Sequence, residues 1–201
     1  MAAKRVFDAV LALAGILLSS PLWVAIGIAL KIQDGGPVFY RQARVGRNGR
    51  LFSALKFRSM IPQAEAQVGA VQATRGDPRV TRVGALLRQT ALDELPQLVN
   101  ILNGDMSFVG PRALRPGEIE RGANEAVPLS AIPGYAERIT VRPGLTGIAQ
   151  IYAPRDVPRR AKFRYDRLYV RRRSLWLDVR LIALSFWISF RGSWEASGSK
   201  L

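Results

Sequence analysis

The sequence predicts a mainly α-helical α+β protein whose N-terminal helix embeds in a membrane, and three observations carry that prediction. Residues 6–30 (VFDAVLALAGILLSSPLWVAIGIAL) are apolar apart from Asp8 and the Ser19-Ser20 pair. A single hairpin signature, short apolar runs on either side of Arg47-Asn48-Gly49, lies between residues 38 and 57. Further along, apolar positions recur at helical spacing or are interrupted by Pro and Gly. Two parts result: residues 1–30 as a membrane-anchoring helix and residues 31–201 as one compact domain.

The first element is long enough to span. At roughly 1.5 Å per residue, a straight helix over residues 6–30 exceeds a hydrocarbon core of about 30 Å. Pro21 removes the backbone hydrogen bond to Leu17 and its ring crowds that carbonyl, so a kink is expected there, with Ser19 and Ser20 hydroxyls available to the freed groups. A strong bend gives a hairpin that enters and leaves through one leaflet; a weak one gives a kinked span. The residues alone leave both open. Lys4 and Arg5 before the segment, and Lys31, Arg41, Arg44 and Arg47 after it, argue for both ends on the cytoplasmic side. The run is longer than a signal-peptide core of about 7–15 residues, and no small-x-small site follows before Lys31, so cleavage is not expected.

The hairpin comes next, followed by residues 61–73 (IPQAEAQVGAVQA), read as a short helix, and a basic loop in which Pro78 restricts Asp77. Residues 84–103 repeat apolar positions helically, with Leu95, Leu98, Val99 and Leu102 forming one stripe. Residues 114–146 are rich in Pro and Gly and are expected to be mostly loop. Residues 174–190 are apolar but carry Asp178 and Arg180 and follow three arginines, which fits an amphipathic helix lying in the membrane interface; a core-packing helix is the alternative.

Composition excludes whole classes of chemistry. The chain has no His and no Cys, which removes Ser-His and Cys-His catalysis, thiolate zinc sites and disulfides. Any reaction falls to carboxylates, Lys, Arg, Tyr or hydroxyls, with a hard cation such as Mg²⁺ as the compatible metal. Thirty Lys and Arg against fifteen Asp and Glu give a net charge of +15, and 25 of the bases are Arg. Anionic partners follow, whether a phosphate-bearing substrate, an acidic membrane surface or nucleic acid.

Within the stretch TALDELPQLVN, Asp93 and Glu94 stand side by side. Pro96 is tolerated only in a first helical turn, so the helix is expected to begin at about Asp93, which makes a plain N-cap the ordinary reading of that residue. At about 100° per residue, Asp93 lies opposite the leucine stripe and faces outward. There, amid arginines, it is expected to stay ionised and to share its place with a phosphate and Mg²⁺. A carboxylate in such a setting can act as a nucleophile toward phosphorus.

The blocks KRVFDAVLALAGILLSSPLWVAIGIALKI, GPVFYRQARVGRNG, KFRSM, DPRVTRVGALLRQTALDELPQLVNILNGDMSFVGPR and RPGLTGIAQ occur in that order. Together they resemble the bacterial sugar transferase family, the monotopic polyprenyl-phosphate phosphoglycosyl transferases, over nearly the whole chain. The length is similar to members consisting of the catalytic unit alone, such as the initiating transferase of Campylobacter protein N-glycosylation.

The resemblance implies a ping-pong transfer at the cytoplasmic face of the bacterial inner membrane. Asp93 of the Asp-Glu dyad attacks the β-phosphorus of a UDP-sugar, releases UMP and holds a phosphosugar; polyprenyl (undecaprenyl) phosphate then takes it. Mg²⁺ is implied beside Asp93 and Glu94. Arg88 and Arg112 match the family's phosphate-binding positions, and Lys56 and Arg58 fall in the site region. Ser20-Pro21 matches the break of a re-entrant membrane helix. The implied partners are a UDP-sugar, polyprenyl phosphate and inner-membrane lipids, without nucleic acid; a homodimer is left open by the sequence. After GIAQI this chain reads YAPRDVPRRAKFRYD where many relatives carry a Gly-Asn-rich stretch, so the identity of the sugar does not follow.

Overall fold

The computed structural model describes residues 2–62, 64, 77–121, 126–154, 157–191 and 194. The short helix expected over residues 61–73 lies largely outside them. The chain opens on helix α1 (Ala2–Asp34), which carries Pro21 inside it and is the one described helix long and apolar enough to cross a membrane. It runs four residues past the boundary expected at residue 30. The carbonyl of Leu17, which Pro21 cannot pair, accepts from Ser20 Oγ at 2.8 Å, while Ser19 Oγ donates to Gly15 O at 2.6 Å and accepts from Trp23 Nε1 at 2.9 Å.

Only Asp8, Ala12, Ile26 and Leu30 of α1 are buried, and most of its apolar side chains point outward, Leu18 at 84% and Ile32 at 80% exposure. Both ends of the helix nevertheless bond to the rest of the chain. Near the start, Arg5 donates to Ile101 O at 2.6 Å and Leu102 O at 2.5 Å, and Asp8 Oδ1 accepts from Phe108 N at 3.2 Å. Near the end, Gln33 Oε1 accepts from Val83 N at 2.9 Å, and Asp34 pairs with Arg58.

Strands β1 (Phe39–Val45) and β2 (Leu51–Phe57) form the expected antiparallel hairpin, Val45 opposite Leu51. Its turn uses left-handed backbone at Asn48 (φ 56°) and Gly49 (φ 80°), which Asn and Gly supply at little cost.

Helix α2 (Arg82–Gln89) is capped by Thr81 Oγ1, which accepts from Gly84 N at 3.0 Å. The helical spacing over residues 84–103 is divided between two helices, and the second begins later than the start expected at about Asp93. Ala91 takes a left-handed conformation (φ 58°), a short 3₁₀ turn follows at Leu92–Glu94, and helix α3 (Gln97–Asn103) begins only after Pro96. Its fully buried residues are Gln97, Leu98, Asn100 and Ile101, so the buried surface is wider than the stripe, of which Leu98 is buried and Leu95 and Leu102 are partly buried against the core, because α3 is covered on two sides. On one side Leu98 meets Gly15 of α1, where even a Cβ would come within 3.1 Å. On the other, Asn100 fills a backbone slot in β2, accepting from Leu55 N at 2.9 Å and donating to Ser53 O at 2.8 Å.

The stretch expected to be mostly loop contains short elements: β3 (Ser107–Val109) just before it, β4 (Ile119–Arg121), β5 (Ala126–Pro128), α4 (Tyr135–Arg138) and β6 (Gly144–Thr146). β3 and β6 pair in parallel, and β4 pairs antiparallel with β5. Among the described residues two further strand pairs therefore accompany the expected hairpin. Helices α5 (Ile148–Tyr152), α6 (Arg159–Arg172) and α7 (Leu175–Phe190) are the last described elements. The main core gathers Ala12, Leu98, Ile101, Phe108, Tyr169 and Leu181 from five different elements. One face of α7 joins it, as the core-packing alternative expects, while Trp176, Phe186 and Phe190 stay exposed on the other.

Candidate active site

A cleft of about 1280 Å³ brings the chemistry-bearing residues together. The hairpin is held against α3 by Asn100, which places Lys56, the penultimate residue of β2, over the 3₁₀ turn that carries Asp93 and Glu94. The left-handed Ala91 reverses the chain between α2 and this turn, so Arg88, in the last turn of α2, lines the same cleft. From the other side comes Arg112, in the segment after β3, which bridges to Gly144. There backbone meets backbone: a Cβ on Gly144 would stand 2.0 Å from Gly110 N.

Glu94 is the hub of the charges. Its Oε1 accepts from Lys56 Nζ at 2.5 Å and from Arg112 Nη2 at 2.6 Å, while Arg112 Nη1 reaches Oε2 at 3.4 Å. Burial by itself would raise the Glu94 carboxyl, but the charges and hydrogen bonds of Arg112 and Lys56 outweigh it and hold it well below the usual carboxylate range. The same pairing raises Arg112.

Asp93 is different. Lys56 Nζ stands 3.9 Å from its Oδ2, beyond hydrogen-bond distance, and the residue is only 9% exposed. Burial pushes its carboxyl up to about 6, against the pull of Lys56 and with a further push from the neighbouring Glu94 anion. The sequence reading of Asp93 as an outward-facing residue at a helix mouth is therefore corrected, while Arg88 and Arg112 do pull its carboxyl down against burial, as expected of nearby arginines. The helix starts at Gln97, and the hairpin covers the side on which Asp93 lies.

Arg58 also lines the cleft, but its guanidinium bonds Asp34 at the end of α1 and not the dyad. Gly36 packs so closely on it that a Cβ would lie 1.9 Å from Nη1. Ser20 and Pro21 lie within α1, and Ser19 beside them lines the cleft.

Several residues in the cleft escaped the sequence reading. Arg44, counted there only as a flanking charge, is half-buried, donates from Nη1 to Ala113 O at 2.9 Å, and is lowered to about 10 by desolvation and by Arg112. Arg138 and Asp166 form a buried pair at 3.0 Å. No local spacing announces either contact, since the partners are separated by 69 and 28 residues.

Among the described residues no group of three or more carboxylates could close around a metal. Both Glu94 oxygens are engaged by cations. Asp93 is the carboxylate left to a ligand, and a single carboxylate plus substrate phosphates and water suits Mg²⁺, which keeps much of its hydration.

The cleft has a second character. Its walls include Leu11, Gly15, Leu18 and Leu22 of α1 together with Ile182 and Phe186 of α7, so an apolar surface continuous with the membrane-length helix leads to the charged dyad.

Comparison with known proteins identifies the family. Residues 1–192 match the profile of the family described as bacterial sugar transferase. The UDP-glucose:undecaprenyl-phosphate glucose-1-phosphate transferase of Xanthomonas campestris pv. campestris is 41% identical over 188 residues, 91% of this chain and 38% of that protein. The UDP-N-acetylgalactosamine-undecaprenyl-phosphate N-acetylgalactosaminephosphotransferase of Aeromonas hydrophila is 42% identical, covering 89% of this chain and 41% of its own length. Exopolysaccharide production protein ExoY of Rhizobium meliloti is 40% identical over 90% of this chain and 82% of its own. The chain thus spans about two fifths of the first two relatives and most of the third, and the likeness is not confined to short proteins. With nearly its full length inside the profile, this chain belongs to the bacterial sugar transferase family.

Proposed function

We propose that the chain transfers a phosphosugar from a UDP-sugar to undecaprenyl phosphate in two steps through Asp93. An Asp93 carboxylate oxygen attacks the β-phosphorus of the donor, the bond from that phosphorus to the bridging oxygen breaks, and UMP leaves with the electron pair. A phosphate oxygen of the lipid acceptor then attacks the same phosphorus, the acyl-phosphate bond opens, and Asp93 returns as a carboxylate. The product is undecaprenyl-diphosphate-sugar, and each step exchanges one phosphorus-oxygen bond for another.

The observation that carries this reading is a buried carboxylate without a hydrogen-bonded cation, beside a carboxylate that holds two. Glu94 assembles Lys56 and Arg112 at the position where diphosphate charge enters, and Arg88 extends the basic wall. In a water-poor cleft such preset charges act strongly on the developing negative charge. Burial makes Asp93 more reactive as a base than a solvated aspartate, because no cation bonds its oxygens directly. Asp93, with Glu94 at its side, is the place for Mg²⁺, which supplies charge neutralisation of the diphosphate when bound. The names of the relatives, two of which specify UDP-sugar and undecaprenyl-phosphate substrates, support the same substrates here.

Helix α1 is proposed to be re-entrant, with the domain on the cytoplasmic face of the inner membrane. Its first turns bond α3, β3 and α7, and its last turn bonds the residues around α2 and β2. A straight span would hold those ends apart across about 30 Å of hydrocarbon. The positive flanks favour the cytoplasmic side for both. Exposed Trp176, Trp187 and Phe190 on α7 are suited to the same interface. The reaction is tested by measuring UMP release across a panel of UDP-sugars with undecaprenyl phosphate and Mg²⁺. Release with at least one donor is expected, and no release with any of them overturns the proposal.

A further inference from the structure

Helix α6 is tied to the dyad by three consecutive bonds. Asp166 Oδ2 accepts from Arg138 Nε at 3.0 Å, Arg138 Nη2 donates to the backbone carbonyl of Arg112 at 2.6 Å, and Arg112 Nη2 donates to Glu94 Oε1 at 2.6 Å. The next carbonyl, that of Ala113, accepts from Arg44 Nη1 at 2.9 Å. Two guanidiniums, Arg138 buried and Arg44 half-buried, thus grip consecutive carbonyls at the base of the Arg112 side chain.

Arg138 and Asp166 are both almost fully buried, at 5% and 4% exposure. Burial raises the Asp166 carboxyl and lowers the Arg138 guanidinium despite their mutual attraction, so desolvation outweighs pairing on both sides. Packing is already provided by Phe163, whose ring lies 4.6 Å below the Arg138 guanidinium carbon. Replacing a buried ion pair by well-packed apolar residues is often neutral or stabilising, so burial of this pair is weak evidence for a purely stabilising role. What an apolar pair cannot do is hold a carbonyl while being held in direction by a carboxylate.

We infer that Arg138, oriented by Asp166, is a positioning residue that fixes the backbone of Arg112 and thereby the angle at which its guanidinium meets Glu94 and the donor diphosphate. This rests on the proposed phosphosugar transfer. Arg138 does not itself touch the dyad; its effect travels through Arg112. Lysine at position 138 keeps the charge but loses the planar fork that bonds Asp166 and the carbonyl together.

The test is a double-mutant cycle on UMP release by full-length enzyme in detergent or nanodiscs, with Arg138→Lys and Arg112→Lys singly and together. Misplacing a catalytic group by about 1 Å costs on the order of 100-fold, so Arg138→Lys is expected to lower kcat/KM by about 10–100-fold when Arg112 is present. In the Arg112→Lys background the same change is expected to cost less than about threefold, since the fork it positions is gone. Thermal unfolding shifts by the same amount in both backgrounds. If Arg138→Lys does not fold, Asp166→Asn, which keeps one carbonyl acceptor, replaces it in the cycle with the same expectation. Equal fold-losses in the two backgrounds would overturn the inference while leaving the transferase reading intact. Absence of UMP release by the wild-type protein with every donor would overturn that reading and this inference with it.

Discussion

Lys4 Nζ, in the first turn of α1, lies 2.6 Å from Asp178 Oδ2 in α7 and 3.8 Å from Asp8 one turn ahead. The other Asp178 oxygen lies 2.9 Å from Tyr169 Oη, which is also 2.9 Å from Val109 O. One buried polar cluster therefore joins the start of the apolar helix to α6, α7 and β3. The network explains why α7 tolerates an aspartate in a stretch otherwise suited to an apolar core.

Lys4→Met keeps the stem and removes the charge, leaving Asp178 buried with Tyr169 alone. A loss of about 1–3 kcal/mol in unfolding free energy is expected. Denaturant unfolding of the purified protein measures it, and Lys4→Met combined with Asp178→Asn is expected to recover part of the loss. An unchanged midpoint in the single variant would show that the pair contributes nothing.

A re-entrant α1 places residue 2 on the cytoplasmic side. The chain has no Cys, so Ala2→Cys is a unique label site. A membrane-impermeant maleimide is expected to leave it unmodified in cells with an intact inner membrane and to modify it after lysis. Modification from outside would mean that the helix spans.

Arg112 and Arg58, grouped together by sequence, separate in the structure. Arg112→Ala removes one of the two cations on Glu94 and is expected to lower kcat for UMP release by about 10²-fold, the usual scale for one preset charge-stabilising donor. Arg58→Met breaks the pairing with Asp34 at the end of α1 and is expected to lower thermal stability more than turnover per folded molecule. The reverse ranking would place Arg58, not Arg112, at the reacting phosphate.

Gly144→Ala tests the backbone contact beneath Arg112. The added methyl would stand 2.0 Å from Gly110 N, where neither chain can yield without shifting the segment that leads to Arg112. A cost of about 1–3 kcal/mol, together with reduced UMP release, is expected from unfolding and activity measurements. Wild-type behaviour in both would show that β3 and β6 separate easily.

The parts legible in the sequence are those set by local chemistry. Asn48-Gly49 marks the hairpin turn because few other pairs accept left-handed backbone there, and the apolar run of α1 announces itself by length. The break at Ala91 was not legible, since alanine has no preference for a left-handed conformation and only tertiary packing holds it there. That break hides the burial of Asp93: a helical projection of residues 84–103 sends the carboxylate outward, whereas the hairpin anchored by Asn100 covers it. The dyad was found because its neighbours in sequence form a motif. Arg44, Arg138 and Asp166 were missed because their roles come from contacts with distant backbone carbonyls and with each other.

The covalent role of Asp93 is tested most directly by mass spectrometry of the protein mixed with its UDP-sugar donor and Mg²⁺, without lipid acceptor, and quenched rapidly. The peptide containing Asp93 is predicted to gain the mass of one phosphosugar, and Asp93→Asn is predicted to show neither that gain nor UMP release. Acceptor-dependent turnover by the wild type with no modified peptide under trapping conditions, or full turnover by Asp93→Asn, would contradict the account.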